Sequence, residues 1–123
     1  MKPLIIFFVT TVAVATCLMG CRKKQQLDAT QPLAESYQAA EPEVKQAIEK
    51  ANAGLKTGNY AEATQALVPV VTRHPMTEAQ KHAVGLALRQ INQGVAANPA
   101  LDTREMYELR AKMFHAVHGS GGF

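Results

Sequence analysis

Between Glu43 and His118 the large apolar residues recur every three or four positions, and nowhere do they alternate for long enough to make a strand. That periodicity restricts the chain to helices packed face to face. Four stripes stand out. Val44, Ala47, Ile48, Ala51 and Leu55 form the first, in a helix from about Glu43 to Lys56. Tyr60, Ala63, Leu67, Val70 and Val71 form the second, ending before His74-Pro75. Val84, Ala87, Leu88, Ile91 and Val95 make the third, and Met106, Leu109, Met113 and Val117 the fourth. The punctuation agrees. Pro42 suits a first helical position, where its missing N–H costs nothing. Gly58 stops the first helix, and Asn59 with Glu62 starts the second. Thr77 with Gln80 is a further capping pair, and Asp102 or Thr103 opens the last helix. Pro69 lies inside the second helix and predicts a kink. The expected fold class is all-α, a short antiparallel stack of helical hairpins.

Outside that span the chemistry changes. Gln25 to Pro42 has two prolines, many Gln and Ala and few large apolar residues, which predicts a tether, with a short helical patch around Leu33 to Ala40. The last five residues, Gly119 to Phe123, predict a flexible tail. At the other end Leu4 to Leu18 is almost wholly apolar but shorter than the ~20 residues of a membrane-spanning helix. Such a segment ending in small residues reads as a secretory signal.

Leu18-Met19-Gly20-Cys21 resembles the lipobox of bacterial lipoproteins: an aliphatic residue, a variable one, a small one, then Cys. Met19 departs from the Ala, Ser or Thr commonest there. The resemblance implies that residues 1–20 are cleaved and that Cys21 carries lipid, tying the chain to a membrane. Cys17 leaves with the leader, so no disulfide is expected. Arg22 after the Cys, where Asp would retain the protein at the inner membrane, points by the same resemblance to the periplasmic face of the outer membrane.

Leu55 to Pro75 is similar to a tetratricopeptide repeat, with Gly58, Asn59, Tyr60, Ala63 and Pro75 at that family's spacings and Ala51 at its small-residue position. Val84-Gly85 and Leu88 begin a second unit. The resemblance implies about one and a half repeats, Val44 to Ile91, followed by a capping helix, within a domain from 43 to 118. No second Gly-Asn-Tyr turn follows, and Lys50 stands where an aliphatic residue is usual. Tyr60 is expected to insert between the first two helices. The family's groove-facing positions include Ile48, Asn52, Leu55, Lys56, His82, Leu86 and Arg89, the candidate partner-binding residues. Ile48, Leu55 and Leu86 are too apolar to stand together in water. The expectation is that the fourth helix covers part of them with Met106, Leu109 and Met113, leaving Asn52, Lys56, His82 and Arg89 as a polar rim.

Charge and motifs bear on function. Four of the 13 Lys and Arg residues, Lys2 and Arg22 to Lys24, precede Gln25, so nine face ten Asp and Glu in the body. That near-neutral body lacks a basic stripe for phosphates, and no nucleic-acid partner is expected. There is no phosphate loop, no nucleophile-base signature and no zinc-protease motif, so neither catalysis nor a cofactor is expected. His115 and His118 are three apart on the last helix and could face one metal, though helix-terminal histidines also suit the C-terminal dipole. The expected function is that of a membrane-anchored, non-catalytic interaction scaffold or assembly factor with an envelope protein partner. The alternative is a lipoprotein holding a metal or small ligand through its histidines. So small a stack also invites support from a partner or a second copy.

Overall fold

The computed structural model describes residues 27–119. Cys21, the 1–20 leader and all but the first residue of the tail lie outside them. The described chain is all-helical: α1 (Thr30–Ser36), α2 (Pro42–Thr57), α3 (Tyr60–Arg73), α4 (Glu78–Ala97), a 3-10 turn (Pro99–Leu101) and α5 (Arg104–His118).

Local chemistry sets these boundaries. Pro42 takes the first turn of α2, and Gly58 ends the helix at φ +77°, a left-handed conformation that favours glycine. Asn59 Oδ1 accepts from the Glu62 N–H at 3.3 Å and starts α3. At α4, Thr77 Oγ1 accepts from Gln80 N–H at 3.1 Å while Gln80 Oε1 accepts from Thr77 N–H at 3.0 Å. These two bonds satisfy both orphan donors of the turn reciprocally. Thr103 accepts from Met106 N–H and caps α5. Helix α3 runs from Tyr60 to Arg73 as one element, with Pro69 on its exposed side.

Two-residue spacing at Gly58-Asn59 forces α2 and α3 into a close hairpin, and α5 packs across α3 and α4. One core unites them, including Ile48, Leu67, Val84, Ile91, Met106 and Met113. Gly54 lets the hairpin close: a Cβ there would sit 2.8 Å from the Asn59 carbonyl and 2.9 Å from the Ala63 nitrogen. The half-buried Tyr60 ring lies against Gly94 of α4, where a Cβ would overlap it, so it joins α3 to α4, a contact beyond the one expected with the first two helices.

A correction concerns the tether. Residues 29–37 are part of the domain, and α1 packs between α2 and α4. Ala29 and Leu33 are fully buried and Tyr37 nearly so. Burying a leucine side chain contributes about 1.5–3 kcal/mol, part of what offsets the ordering of a short segment that has little helix propensity of its own. Polar clasps fix its register. Gln90 Oε1 accepts from Ala29 N–H at 2.9 Å, Asn52 Nδ2 donates to the Thr30 carbonyl at 3.0 Å, and Gln80 Nε2 donates to the Ser36 carbonyl at 3.1 Å. With Ala29 beside Gln90 and Ser36 beside Gln80, α1 runs antiparallel to α4.

Candidate functional site

The residues expected to share one groove divide between two surfaces. The first is the cleft between α2 and α4, and α1 fills it. Ile48 and Leu55 are each only 3 % exposed, and Asn52 is half-buried in its bond to Thr30. The expected cover by α5 is therefore overturned: α1 covers this cleft, while Met106 and Met113 are buried where α5 crosses α3 and α4. The reason lies in the polar clasps. Asn52 and Gln90 point amide groups into the cleft, and the α1 segment supplies backbone partners for Asn52 Nδ2 and Gln90 Oε1.

Lys56 stays exposed, at the edge of a shallow depression of about 330 Å³ that it lines with Leu27, Asp28, Leu55 and Gln90. There the Asp28 carboxylate accepts from the Thr30 hydroxyl at 2.6 Å and from the Thr30 N–H at 3.0 Å. Those bonds, with a smaller contribution from Lys56, hold its pKa below the ordinary carboxylate value.

The second surface lies between α4 and α5, and it gathers His82, Leu86 and Arg89. A groove of about 510 Å³ runs over Gly85, Leu86, Leu88 and Val117, walled by Phe114 and His118 from α5 and by Lys81, His82 and Arg89 from α4. It continues past Leu88, Asn92 and Phe114 into a stretch of about 350 Å³ bounded by Tyr107, Arg110 and Ala111. Tyr107 and Phe114 stand 66 % and 51 % exposed, the large apolar side chains left in solvent among the described residues. They are seven apart on α5, so they rise on one side of the helix and point along one groove. The Phe114 ring packs on His118, with ring centres 4.4 Å apart.

The charges around this groove differ in freedom. Arg110 donates to Asp102 Oδ1 at 2.8 Å and to Asn92 Oδ1 at 3.1 Å, which braces α5 against α4 and the 3-10 turn. Lys81 pairs with Glu78 at 3.3 Å. Arg89 is exposed and makes no ion pair among the described residues. His82 and His118 face the larger stretch and His115 the smaller. No three His, Cys, Asp or Glu side chains converge as metal ligands among the described residues.

Tyr107, Phe114, Gly85, Asn92 and Arg110 were not among the residues expected from the sequence. For Tyr107 and Phe114 the signal was present in α5, where two aromatics seven residues apart fall off the Met106-Leu109-Met113-Val117 stripe that packs inward. No described helix is long and apolar enough to cross a membrane. The sequence matches no protein-family description, no curated protein and no solved structure at a significant level.

Proposed function

We propose that this chain is a lipid-anchored, non-catalytic interaction module of the bacterial envelope, tied through Cys21 to the periplasmic face of the outer membrane. It engages a protein partner along the groove between α4 and α5. The observation that carries the docking surface is the exposure of Tyr107 and Phe114 beside Leu86 in one continuous groove. A small soluble domain rarely leaves two aligned aromatics in water unless something covers them. The anchor rests on the resemblance of Leu18-Met19-Gly20-Cys21 to a lipobox, and the repeat-like character on the Gly58-Asn59-Tyr60 turn. The cleft between α2 and α4 is a poor docking site, because α1 already covers its apolar side chains and bonds Asn52 Nδ2 and Gln90 Oε1.

Two measurements test this. Intact mass of the membrane-extracted protein should show a chain beginning at Cys21 with added acyl mass, and Cys21→Ala should leave unprocessed precursor. An unmodified start at another residue defeats the anchor. A photo-crosslinking side chain at position 114 should couple to one envelope protein, whereas the same group at exposed position 49 on α2 should not. Adducts from 49 and none from 114 would place the partner elsewhere.

A further inference from the structure

Three glycines lie inside helices α2 and α4, and packing accounts for two. Gly54 meets the α2–α3 turn, and Gly94 meets the Tyr60 ring. Gly85 has no such reason. A Cβ there would find its nearest neighbour, Val117 Cγ1, at a relaxed 3.9 Å. Glycine weakens a helix interior, so an unforced one calls for another account. Its structural effect is on the surface: it leaves a notch in the groove floor, framed by Leu86, Leu88, Phe114 and Val117.

The groove extends from Tyr107 to His118, about 17 Å at the rise of a helix, or some three turns. A shallow trough of that length with one notch fits a helix presenting side chains at i, i+3 and i+7. The rim sets the sign of its flanks. Arg89 has no ion-pair partner, His82 and His118 stand beside it, and Glu78, the groove's carboxylate, is taken by Lys81. We propose that the groove receives an amphipathic helix of a partner protein, with a bulky apolar side chain seated over Gly85 and Asp or Glu along the flank facing Arg89. This deepens the docking assignment above and rests on it.

Charge argues against two other occupants. A second copy would offer its own α5. Antiparallel pairing about Ala111 sets Arg110 against Lys112, and parallel pairing sets each cationic residue against itself. The segment before residue 27 carries Arg22, Lys23 and Lys24, the same sign as the rim. Like charges facing one another disfavour both.

The test uses the full chain in nanodiscs of neutral lipid and two labelled helical peptides of about five turns. Both carry a Leu ridge; one has Glu flanks, the other Lys flanks. Fluorescence anisotropy should show saturable binding of the Glu peptide, weakening with salt, and at least about tenfold weaker binding of the Lys peptide. Arg89→Glu should reverse that preference. Gly85→Leu should weaken the Glu peptide about tenfold while its melting temperature stays at or above that of the parent, since leucine favours the helix. Equal binding of both peptides, binding of neither, or an unchanged affinity in Gly85→Leu overturns the proposal. If position 114 still crosslinks to an envelope protein in those cases, the docking surface stands and only its acidic-helix occupant falls. A concentration-dependent dimer crosslinked from 114 to 114 overturns it in favour of a second copy.

Discussion

The same substitution at two glycines of one helix should move stability in opposite directions. Gly85→Ala and Gly94→Ala both replace a helix-interior glycine of α4, and each gains about 0.8–1 kcal/mol of helix propensity. At position 85 the added methyl meets nothing closer than 3.9 Å, so the gain survives whole. At position 94 it overlaps the Tyr60 ring, and forcing a methyl into an occupied site costs about 1–3 kcal/mol. The net effect there runs from near zero to a loss of about 2 kcal/mol. For a domain of this size 1 kcal/mol shifts the melting temperature by about 4–8 °C. Gly85→Ala should therefore melt about 4–8 °C above the parent, and Gly94→Ala at or below it. Circular dichroism at the helix band, with urea unfolding as a second measure, reads both. A double-mutant cycle isolates the contact: in a Tyr60→Ala background the ring is absent, and Gly94→Ala should become stabilising. If Gly94→Ala raises stability as much as Gly85→Ala does with Tyr60 present, the Tyr60 ring does not lie on α4.

Other outcomes follow from α1 and its neighbours. Leu33→Ala should cost about 2–5 kcal/mol in thermal or urea unfolding, as a fully buried leucine does, whereas in a solvated tether it would cost nothing. The buried Tyr37 hydroxyl has no hydrogen-bond partner among the described residues, and burial pushes its pKa up to about 12. Tyr37→Phe should thus raise urea-unfolding stability by about 1 kcal/mol or leave it level, and a clear loss would reveal a missed partner. The Asp28 carboxyl titrates below its unfolded value, so its contribution is present above the ordinary 3.8 and lost as pH falls through the lowered pKa. Asp28→Ala should accordingly melt below the parent at pH 7, and the gap should close in acid below that window.

The helix boundaries were legible because short-range chemistry sets them. Pro42, Gly58-Asn59, Thr77 with Gln80 and Thr103 act within four residues of where they stand, and each does so in the folded chain. Helix α1 was legible only as a short helical patch around Leu33 to Ala40, and its docking was not legible, for the opposite reason. Its seven residues include Pro32 and only one large apolar side chain, so nothing local commits it to a helix. What orders it is a bond to Gln90, 61 residues away, another to Asn52, 22 away, and a cleft made by other helices. The candidate site shows the same division. Periodicity identified the inward stripe of α5 but carries no information on which neighbour it meets. Ile48 and Leu55 were rightly judged too apolar for water, yet their cover came from the N-terminal side of the chain. His82, Leu86 and Arg89 do line a groove, with α5 as its opposite wall.

If Cys21 carries a lipid as proposed, docking of α1 also sets how far the domain can travel from the bilayer. With residues 22–42 extended, a domain starting at Glu43 could range about 70 Å from a lipid on Cys21. With α1 clasped, only the six steps from Cys21 to Leu27 remain, a radius of about 20 Å at full stretch. Under the proposed anchor the molecule would work as a fixture of the membrane surface with almost no leash. A partner in the groove between α4 and α5 would then have to come within roughly one domain's width of the lipid headgroups.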